Sequence, residues 1–450
     1  MSKRNLILLI IVMVAVVIAV FGFLYFRGIP AAPKEESEGT NFISRFNPFA
    51  SSKPSAPETA APSVDVTGYE PGSDGEMPKL QLIKVSSMPV VGFGVYQKER
   101  FKEVPMIVPA AGAGSEPEEK TSVSAAPTPP PTEFVPALRY VDRATGNIYQ
   151  TFADKIEERK FSETTIPKVY EAYFGNRGES VIMRYLKGSD RTIETFVGAL
   201  PKEHLGADMS GNNAIVGSFL PDNVKDISVS SDGLKIFYLF NSGDGVIGAT
   251  LNLLDNKKVQ VFDSPFTEWL TQWPGGGSAG AITLSTKPSA NVPGYMYKIN
   301  LVNKNLTKVL GNINGLTTLA SPDEKLVLYG DNNLSLYVYN VDSKNSDLLG
   351  VKTMPEKCVW GALSDVIYCA VPKSVDIGAY PDAWYQGEVT FYDRFWKIDI
   401  ESGSTTLMFD PAAVTGREEI DGIKLALDEN ENYLFFVNKK DSYLWKAELR

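Results

Sequence analysis

The sequence predicts an all-β protein. Its fold is expected to be a β-propeller of seven blades, preceded by one N-terminal transmembrane helix. From about residue 80 onward, short runs of aromatic and β-branched residues alternate with polar ones and are divided by Gly, Asn, Asp and Ser, which is typical of strands and turns. Two turn types recur there at a spacing of roughly 42 to 60 residues, the period of a propeller blade. An uncharged apolar run stands near the start of the chain. Helical turns are expected only at 154–160 and 411–419.

The two turn types define the repeating unit. The first type precedes a strand, as in 230–233 (SSDG) before LKIFYLF and 321–324 (SPDE) before KLVLYG, with 363–365 (LSD) as a weaker copy. Asp232 and Asp323 are expected to cap the backbone amides of their own turns. The second type lies between two further strands, as in TLNLLDNKKVQVF, with RYVDRATGNIYQTF and RYLKGSDRTIETF among its copies. Each unit is therefore expected to be a four-stranded antiparallel blade.

The two ends of the propeller are expected to meet in one blade. The last unit, which ends SYLWKAELR, stops after its third strand. Residues 80–85 (LQLIKV) read as a strand with no unit of their own, so we expect them to supply the missing fourth strand and to cover an open sheet edge. This arrangement gives seven blades, and six or eight are the alternatives.

Two segments resemble known propeller repeats. The pattern in 231–235 (SDGLK) and 321–325 (SPDEK) resembles the WD-like repeats of TolB-like propellers and of the propeller domain of dipeptidyl-peptidase-type enzymes. Phrases such as RYVDRATGNIY and TIPKVYEA are similar to those of uncharacterised membrane-anchored bacterial propeller proteins. The resemblance implies a fold and a membrane location, and it implies no particular activity.

The apolar run at Leu6–Phe26 is long enough to span a bilayer. At about 1.5 Å per residue it covers roughly 30 Å, and in lipid it must be helical. Lys3 and Arg4 precede it, so residues 1–5 are expected in the cytoplasm and the bulk of the chain outside. The alternative is a cleaved signal peptide, for which residues 29–32 (IPAA) would supply the cleavage region.

Beyond the anchor, composition divides the chain into a linker and a folded region. Residues 27–78 are rich in Pro, Ser, Ala and Glu, which predicts a disordered linker. The propeller is expected over 79–450, with a low-complexity loop at 110–132. A second long loop is expected at 372–393, between the second and third strands of the sixth blade.

Charge and rare residues limit the function classes. The chain has 44 Lys and Arg, 54 Asp and Glu, and a net charge of −10, with no basic stripe, so nucleic acid is not an expected partner. The single histidine, His204, cannot build a His-based metal site, and no Cys or His spacing fits zinc. No cofactor, metal or catalytic residue is therefore expected. The Gly-x-Ser-x-Gly match at 276–280 precedes a strand and not a helix, which predicts a glycine-rich loop.

The two cysteines flank a predicted hairpin. Cys358 and Cys369 would lie roughly opposite each other on its strands, and a location outside the cytoplasm permits a disulfide bond between them. The alternative is that both are small buried core residues.

The candidate binding site is the aromatic cluster of loop 372–393. Loops on a rigid scaffold often carry binding function, and Tyr and Trp are favoured hot-spot residues. The alternative is that the rings fold back and plug the end or the central channel of the propeller. The five residues are Tyr380, Trp384, Tyr385, Phe391 and Tyr392.

These observations predict a single-pass membrane protein that contacts the lipid bilayer through Leu6–Phe26. Its extracytoplasmic propeller, expected to be a monomer, would bind or scaffold an envelope protein, a peptide or a glycan. No enzymatic activity is expected. The alternative is a propeller lyase or hydrolase with a site in the central channel that needs no histidine.

Overall fold

A computed structural model describes most of the chain beyond the predicted linker. The described residues are 64–65, 81–102, 130–188, 191–203, 205, 213–275, 280–416 and 418–449. The predicted cytoplasmic segment 1–5 and anchor 6–26 lie outside them, as does the predicted linker 27–78 apart from Val64 and Asp65. Within the described ranges, no helix has the length and apolar character needed to cross a membrane.

The described chain is built almost entirely from antiparallel strands. Thirty strands are present, and all but β1 and β25 belong to seven four-stranded sheets. The strands are β1 (Val64–Asp65), β2 (Leu82–Lys84), β3 (Val90–Phe101), β4 (Thr132–Asp142), β5 (Ile148–Phe152), β6 (Arg159–Ser162), β7 (Val169–Gly175), β8 (Ser180–Leu186), β9 (Ile193–Ala199), β10 (Val216–Phe219), β11 (Val224–Val229), β12 (Lys235–Ser242), β13 (Gly245–Asn252), β14 (Lys258–Ser264), β15 (Trp269–Gln272), β16 (Ala281–Thr286), β17 (Pro293–Asn300), β18 (Leu306–Asn314), β19 (Thr317–Ala320), β20 (Leu326–Gly330), β21 (Ser335–Asn340), β22 (Ser346–Lys352), β23 (Cys358–Trp360), β24 (Val366–Pro372), β25 (Ser374–Val375), β26 (Asp393–Asp399), β27 (Thr405–Phe409), β28 (Gly422–Leu427), β29 (Tyr433–Asn438) and β30 (Leu444–Glu448).

The seven sheets are the blades of a β-propeller, as the sequence predicts. Blade 1 holds β3–β6, blade 2 β7–β10, blade 3 β11–β14, blade 4 β15–β18, blade 5 β19–β22, blade 6 β23, β24, β26 and β27, and blade 7 β28–β30 together with β2. The first strands of neighbouring blades contact each other, as β3 contacts β7 and β11 contacts β15. The first strand of each blade is therefore its innermost strand.

The two faces of the ring differ in the connections that they carry. We call the face with the first-to-second and third-to-fourth connections the lower face. The upper face carries the second-to-third connections and the links between blades.

The predicted closure of the ring is confirmed. Leu82 pairs with Ala447 and Lys84 with Trp445, so β2 forms the fourth strand of blade 7 beside β30. Strands from the two ends of the folded region thus share one sheet, and the outer edge of β30 is covered.

The first turn type is also confirmed. Residues 230–233 join β11 to β12, and 321–324 join β19 to β20, both on the lower face. Asp232 accepts hydrogen bonds from the Ser230 hydroxyl at 2.6 Å and from the Leu234 amide at 2.9 Å. Asp323 makes the equivalent contacts in its own turn. Both carboxylates therefore cap local backbone, as expected.

The second turn type does not occupy one position throughout. In blades 3 to 6 it joins the third strand to the fourth, but RYVDRATGNIYQTF and RYLKGSDRTIETF join the second strand to the third in blades 1 and 2. The reason is that a tight antiparallel turn carries the same residue types wherever it lies in a blade. The predicted low-complexity loop 110–132 falls between β3 and β4, and its last residue, Thr132, begins β4.

Within the residues that the structure describes, helical structure is limited to short segments. They are α1 (Asp382–Tyr385), α2 (Pro411–Thr415) and single 3-10 turns at Asn176–Gly178 and Pro355–Lys357. The helical turn expected at 411–419 corresponds to α2. The one expected at 154–160 is wrong, because Arg159 already begins β6 and pairs with Gln150. The sequence pattern missed α1.

Neighbouring blades pack face to face through apolar side chains. Between blades 6 and 7, the centroid of the Phe395 ring lies 4.6 Å from the ring centroids of both Phe409 and Phe436.

The two cysteines form a disulfide bond within blade 6. Cys358 lies directly opposite Cys369 across β23 and β24, and their Cα atoms are 4.1 Å apart.

Candidate functional site

The predicted binding loop mostly faces inward. Tyr380, Trp384 and Phe391 are buried, and they pack with apolar residues of neighbouring connections on the upper face. Tyr385 and Tyr392 are 40% and 44% exposed. The alternative weighed from sequence, that the rings fold back, therefore describes three of the five. Only Tyr385 and Tyr392 retain surface on which a partner could bind.

Polar contacts fasten this loop across several blades. The Asp382 carboxylate accepts from the Ala290 amide at 2.6 Å and from the Ser289 hydroxyl at 3.2 Å, both in blade 4. In blade 7, Lys439 donates from its Nζ to the backbone oxygen of Trp384 at 2.6 Å. The loop leaves from blade 6, so it ties the upper face of blades 4 to 7 together.

A buried ionic cluster lies beneath the loop. The Lys357 Nζ lies 2.8 Å from Asp393 Oδ2 and also contacts Asp421, and all three side chains are fully buried. The Trp384 indole donates to Asp421 Oδ2 at 3.0 Å, and the Phe391 ring covers the ammonium. Burial raises the pKa of Asp393 to about 6, against the opposing effect of Lys357. The cluster therefore holds the loop in place.

The raised pKa of Asp393 predicts a pH dependence of stability. The folded protein keeps the proton up to a pH of about 6, whereas an unfolded carboxyl releases it near 4, so the free energy of unfolding falls as pH rises through that window. Asp393→Asn removes this contribution. We expect its free energy of unfolding, relative to wild type, to rise by up to about 3 kcal/mol between pH 4 and pH 7, as measured by urea denaturation. A difference that stays constant with pH would contradict the prediction.

A cleft with a volume of about 980 Å³ lies at the lower face. The face of blade 1 forms one wall, and connections of blade 2 form the other. We call it the cleft of blades 1 and 2. Its lining is Tyr96, Gln97, Lys98, Glu99, Arg100, Phe101, Phe134, Arg139, Gln150, Thr151, Phe152, Glu157, Glu158, Arg159, Arg177, Glu179, Pro201, Lys202, Glu203 and Leu205.

A transverse row of polar side chains crosses blade 1 within this cleft. Arg139 pairs with Gln150 across β4 and β5, and Gln150 pairs with Arg159 across β5 and β6. Directly paired residues point to the same side of a sheet, so the three side chains share one face. Gly94 continues the row on β3, where an added Cβ would lie 2.6 Å from Phe174 Cβ. The glycine allows blade 2 to approach at that point.

The row converges on one carboxylate from blade 2. Glu203, 8% exposed at its side chain, follows β9 and reaches over to blade 1. Its carboxylate accepts from Gln150 Nε2 at 2.8 Å and from Arg139 Nη2 at 3.3 Å, and it also contacts Lys98 Nζ and Arg159 Nη2. Four donors from four adjacent strands thus hold a single carboxylate.

The donors are held in position by other parts of the fold. Arg139 donates to the backbone oxygen of Gly178 and, from Nε, to Gln150 Oε1 at 3.2 Å, and its guanidinium lies 4.0 Å from the Phe161 ring centroid. Desolvation lowers the pKa of Lys98, and the contact with Glu203 opposes that change. The site is therefore a partly dehydrated cationic pocket with a preorganised geometry.

Apolar residues border this cationic centre. Phe134 is 69% exposed, and Phe101 and Leu205 are each about 40% exposed. Arg177 stands exposed at the tight turn between β7 and β8, with a left-handed φ of 52°. The cleft thus combines a charged floor with apolar edges, which is the usual make-up of a ligand-binding surface.

A second charged cluster lies on the two inner strands of blade 2 and on the innermost strands of blades 3 and 7. Arg184 forms an ion pair with Glu171 and donates to the backbone oxygen of Val224. Asp226 accepts from the Thr271 amide at 2.6 Å, and burial raises its pKa to about 6.

Lys424 brings a positive charge to this cluster from blade 7. It has a left-handed φ of 53° and donates to the backbone oxygen of Val91 at 2.8 Å. Desolvation lowers the pKa of Lys424, and Glu171 opposes that change. Acidic and basic groups therefore face one another near the axis of the ring.

No three His, Cys, Asp or Glu residues of the described ranges come close enough together to hold a metal ion. His204 and residues 276–279 of the Gly-x-Ser-x-Gly match lie outside those ranges.

No family model and no curated protein matches the sequence. Among solved structures, the chain is similar to an oligogalacturonate lyase in complex with manganese (10% identity, 70% of this chain and 85% of that chain, TM-score 0.43). It is also similar to an oligogalacturonate lyase from Vibrio parahaemolyticus (7% identity, 70% of this chain and 86% of that chain, TM-score 0.48). A third similar structure is a mitotic checkpoint complex (12% identity, 70% of this chain and 88% of that chain, TM-score 0.45). All three TM-scores are below 0.5, so the seven-bladed fold rests on the sheets described above.

Proposed function

We propose that this protein is a membrane-anchored, extracytoplasmic binding module of the cell envelope whose ligand site is the cleft of blades 1 and 2. One observation carries the proposal: Lys98, Arg139 and Arg159 converge on a carboxylate inside a cleft of about 980 Å³. Ligands usually bind in a large cleft that combines fixed polar groups with apolar edges. Its ligand would be a protein, a peptide or a glycan.

The anchor and linker give this module its proposed location. Leu6–Phe26 would hold the chain in the bilayer, with the short N-terminus in the cytoplasm. A flexible linker of about 50 residues has a root-mean-square reach of roughly 40 Å, so the propeller would meet ligands within a few nanometres of the membrane. The propeller is proposed to act as a monomer, since β2 already completes blade 7 without a strand from a second copy.

A site-specific photocrosslinker tests the position of the site. A benzophenone amino acid at Phe134 in the cleft is compared with one at Tyr385 on the upper face, and with one at Leu254, which is 62% exposed and does not line the cleft. In cells, a specific adduct with the ligand is expected from the cleft position and not from the other two positions, because only the cleft lies beside the proposed ligand.

An adduct at Tyr385 alone would move the site to the long loop. No specific adduct at any position would count against a binding module. Trp384→Ala does not serve as a binding control, because Trp384 is buried and its loss would disturb the fold.

A lyase or hydrolase is the second candidate, and the innermost cluster is the observation that favours it. A carboxyl group with a pKa of about 6, such as Asp226, suits general acid or base catalysis near neutral pH. Arg184 and Lys424 would supply positive charge beside it. Wild type and Asp226→Asn are compared on neutral and acidic oligosaccharides by the absorbance of unsaturated products and by the release of reducing ends. Equal background rates in both proteins would eliminate this candidate.

A further inference from the structure

We infer that the cleft recognises an acidic side chain of a protein partner, and that Glu203 fills the carboxylate position in the free protein as an internal substitute. This inference rests on the proposed function, because it names the ligand class and the regulation of the same site. Three structural arguments lead to it.

The donors of the pocket suit a carboxylate ligand. Lys98, Gln150 and Arg159 all direct N–H groups at Glu203, together with Arg139. Lysine and arginine are the side chains that bind carboxylates most strongly, through charge-assisted hydrogen bonds. Because a carboxylate already occupies the position, the geometry of the pocket fits that group without rearrangement.

Glu203 is held in a different way from the donors that surround it. Within the described residues, its contacts with blade 1 are made by the side chain alone, and it belongs to a connection of blade 2 and not to a strand. The donors, by contrast, lie on paired strands, and Arg139 is also fixed by Gly178 and Phe161. The cationic pocket therefore persists when Glu203 leaves it.

The apolar surface around the pocket favours a peptide as the ligand. Phe134, Phe101 and Leu205 border the pocket and present apolar surface with no hydrogen-bonding group on the side chain. The apolar neighbours of an acidic residue in a peptide would bury that surface favourably. The hydroxyl groups of a sugar would lose water there without gaining partners. The edges of the cleft thus favour an acidic segment with flanking Phe or Leu.

Exchange of one carboxylate for another has a predictable effect on affinity. Binding requires the state in which Glu203 has left the pocket, so the apparent dissociation constant exceeds the intrinsic one by the inverse of that population. Glu203→Gln weakens the internal competitor, because a neutral amide binds this cationic pocket less strongly than a carboxylate. We expect it to tighten the binding of an acidic peptide by about tenfold or more.

The experiment uses the full chain in detergent and a fluorescent nonapeptide with a central Phe-Glu-Leu sequence. Its partner probe replaces the Glu by Gln, and a third probe is an acidic oligosaccharide. Fluorescence anisotropy compares wild type with Glu203→Gln. Glu163→Gln serves as the matched control, because the Glu163 side chain is 57% exposed and does not line the cleft. We expect Glu203→Gln to bind the Glu peptide more tightly than wild type, and Glu163→Gln to bind it with the same affinity as wild type.

A double variant and a shorter side chain keep the test decisive. Arg159→Met in the Glu203→Gln background should abolish the gain, because Arg159 would contact the incoming carboxylate. If Glu203→Gln has a lower melting temperature than wild type, Glu203→Asp replaces it in the experiment. The shorter aspartate side chain keeps the negative charge but withdraws the carboxylate from the pocket. Melting curves of each variant identify losses due to unfolding.

Several results would overturn the inference, and they are distinguishable from failure of the proposed function. Unchanged or weaker peptide binding by Glu203→Gln would refute the internal substitute. Equal binding of the Glu and Gln peptides would refute carboxylate recognition, and binding of the oligosaccharide alone would refute a peptide ligand. In each case, a crosslinked adduct at Phe134 would still support a binding site in the cleft.

Discussion

Replacement of Lys357 by alanine is expected to lower the free energy of unfolding by about 3 to 5 kcal/mol. Lys357, Asp393 and Asp421 have no solvent-accessible side-chain surface, so water cannot replace the lost ammonium. Two carboxylates would remain buried near each other without their shared cation. Urea denaturation at pH 7, followed by tryptophan fluorescence, measures the change and also reports on Trp384, which donates to Asp421.

A matched control separates this effect from loss of a lysine in general. Lys397 lies nearby on β26 with its side chain toward solvent, so Lys397→Ala should change the free energy of unfolding by less than about 0.5 kcal/mol. If Lys357→Ala were as stable as this control, the buried cluster would not be what holds the long loop.

Replacement of Phe395 by alanine is expected to have a similar cost of about 3 to 5 kcal/mol. Its ring is fully buried between blades 6 and 7, where it stacks on Phe409 and also packs against Phe436. Closely packed strands on both sides leave little room for collapse, so a cavity would remain. The shift of the urea midpoint measures the loss.

Phe134→Ala provides the control for the aromatic substitution. The Phe134 ring is mostly exposed in the cleft, so its removal should leave stability within about 0.5 kcal/mol of wild type. Equal stabilities of the two alanine variants would indicate that the blade 6 and blade 7 interface relaxes around the missing ring.

The fold could be read from the sequence where local chemistry determines structure. The turn at 230–233 caps itself through Asp232, and the hairpin between Cys358 and Cys369 has the register that its length predicts. The closing strand was identifiable because an unpaired strand at one end matched a missing one at the other. The position of a tight turn within its blade was not identifiable, because turn residues are the same in either place.

The candidate site depends on contacts that the sequence does not display. Arg139 and Glu203 are 64 residues apart and meet only because blade 2 packs on blade 1. One signal was present: Arg139 and Gln150 are polar residues that lie directly opposite each other across a predicted turn. For the long loop, composition is compatible with both aromatic burial and aromatic recognition, and only packing shows that Trp384 is inside.

The shared construction of blade 7 has a consequence for the timing of folding. The backbone amide of Leu444 bonds to the hydroxyl of Ser86, a partner 358 residues earlier in the chain. Of the four strands of blade 7, β2 is synthesised first and stays unpaired until β30 follows. Contacts between such distant segments form slowly, so ring closure is expected to come last. Until then the blades form an open arc with exposed edges, the stage at which a newly made chain is most open to aggregation and proteolysis.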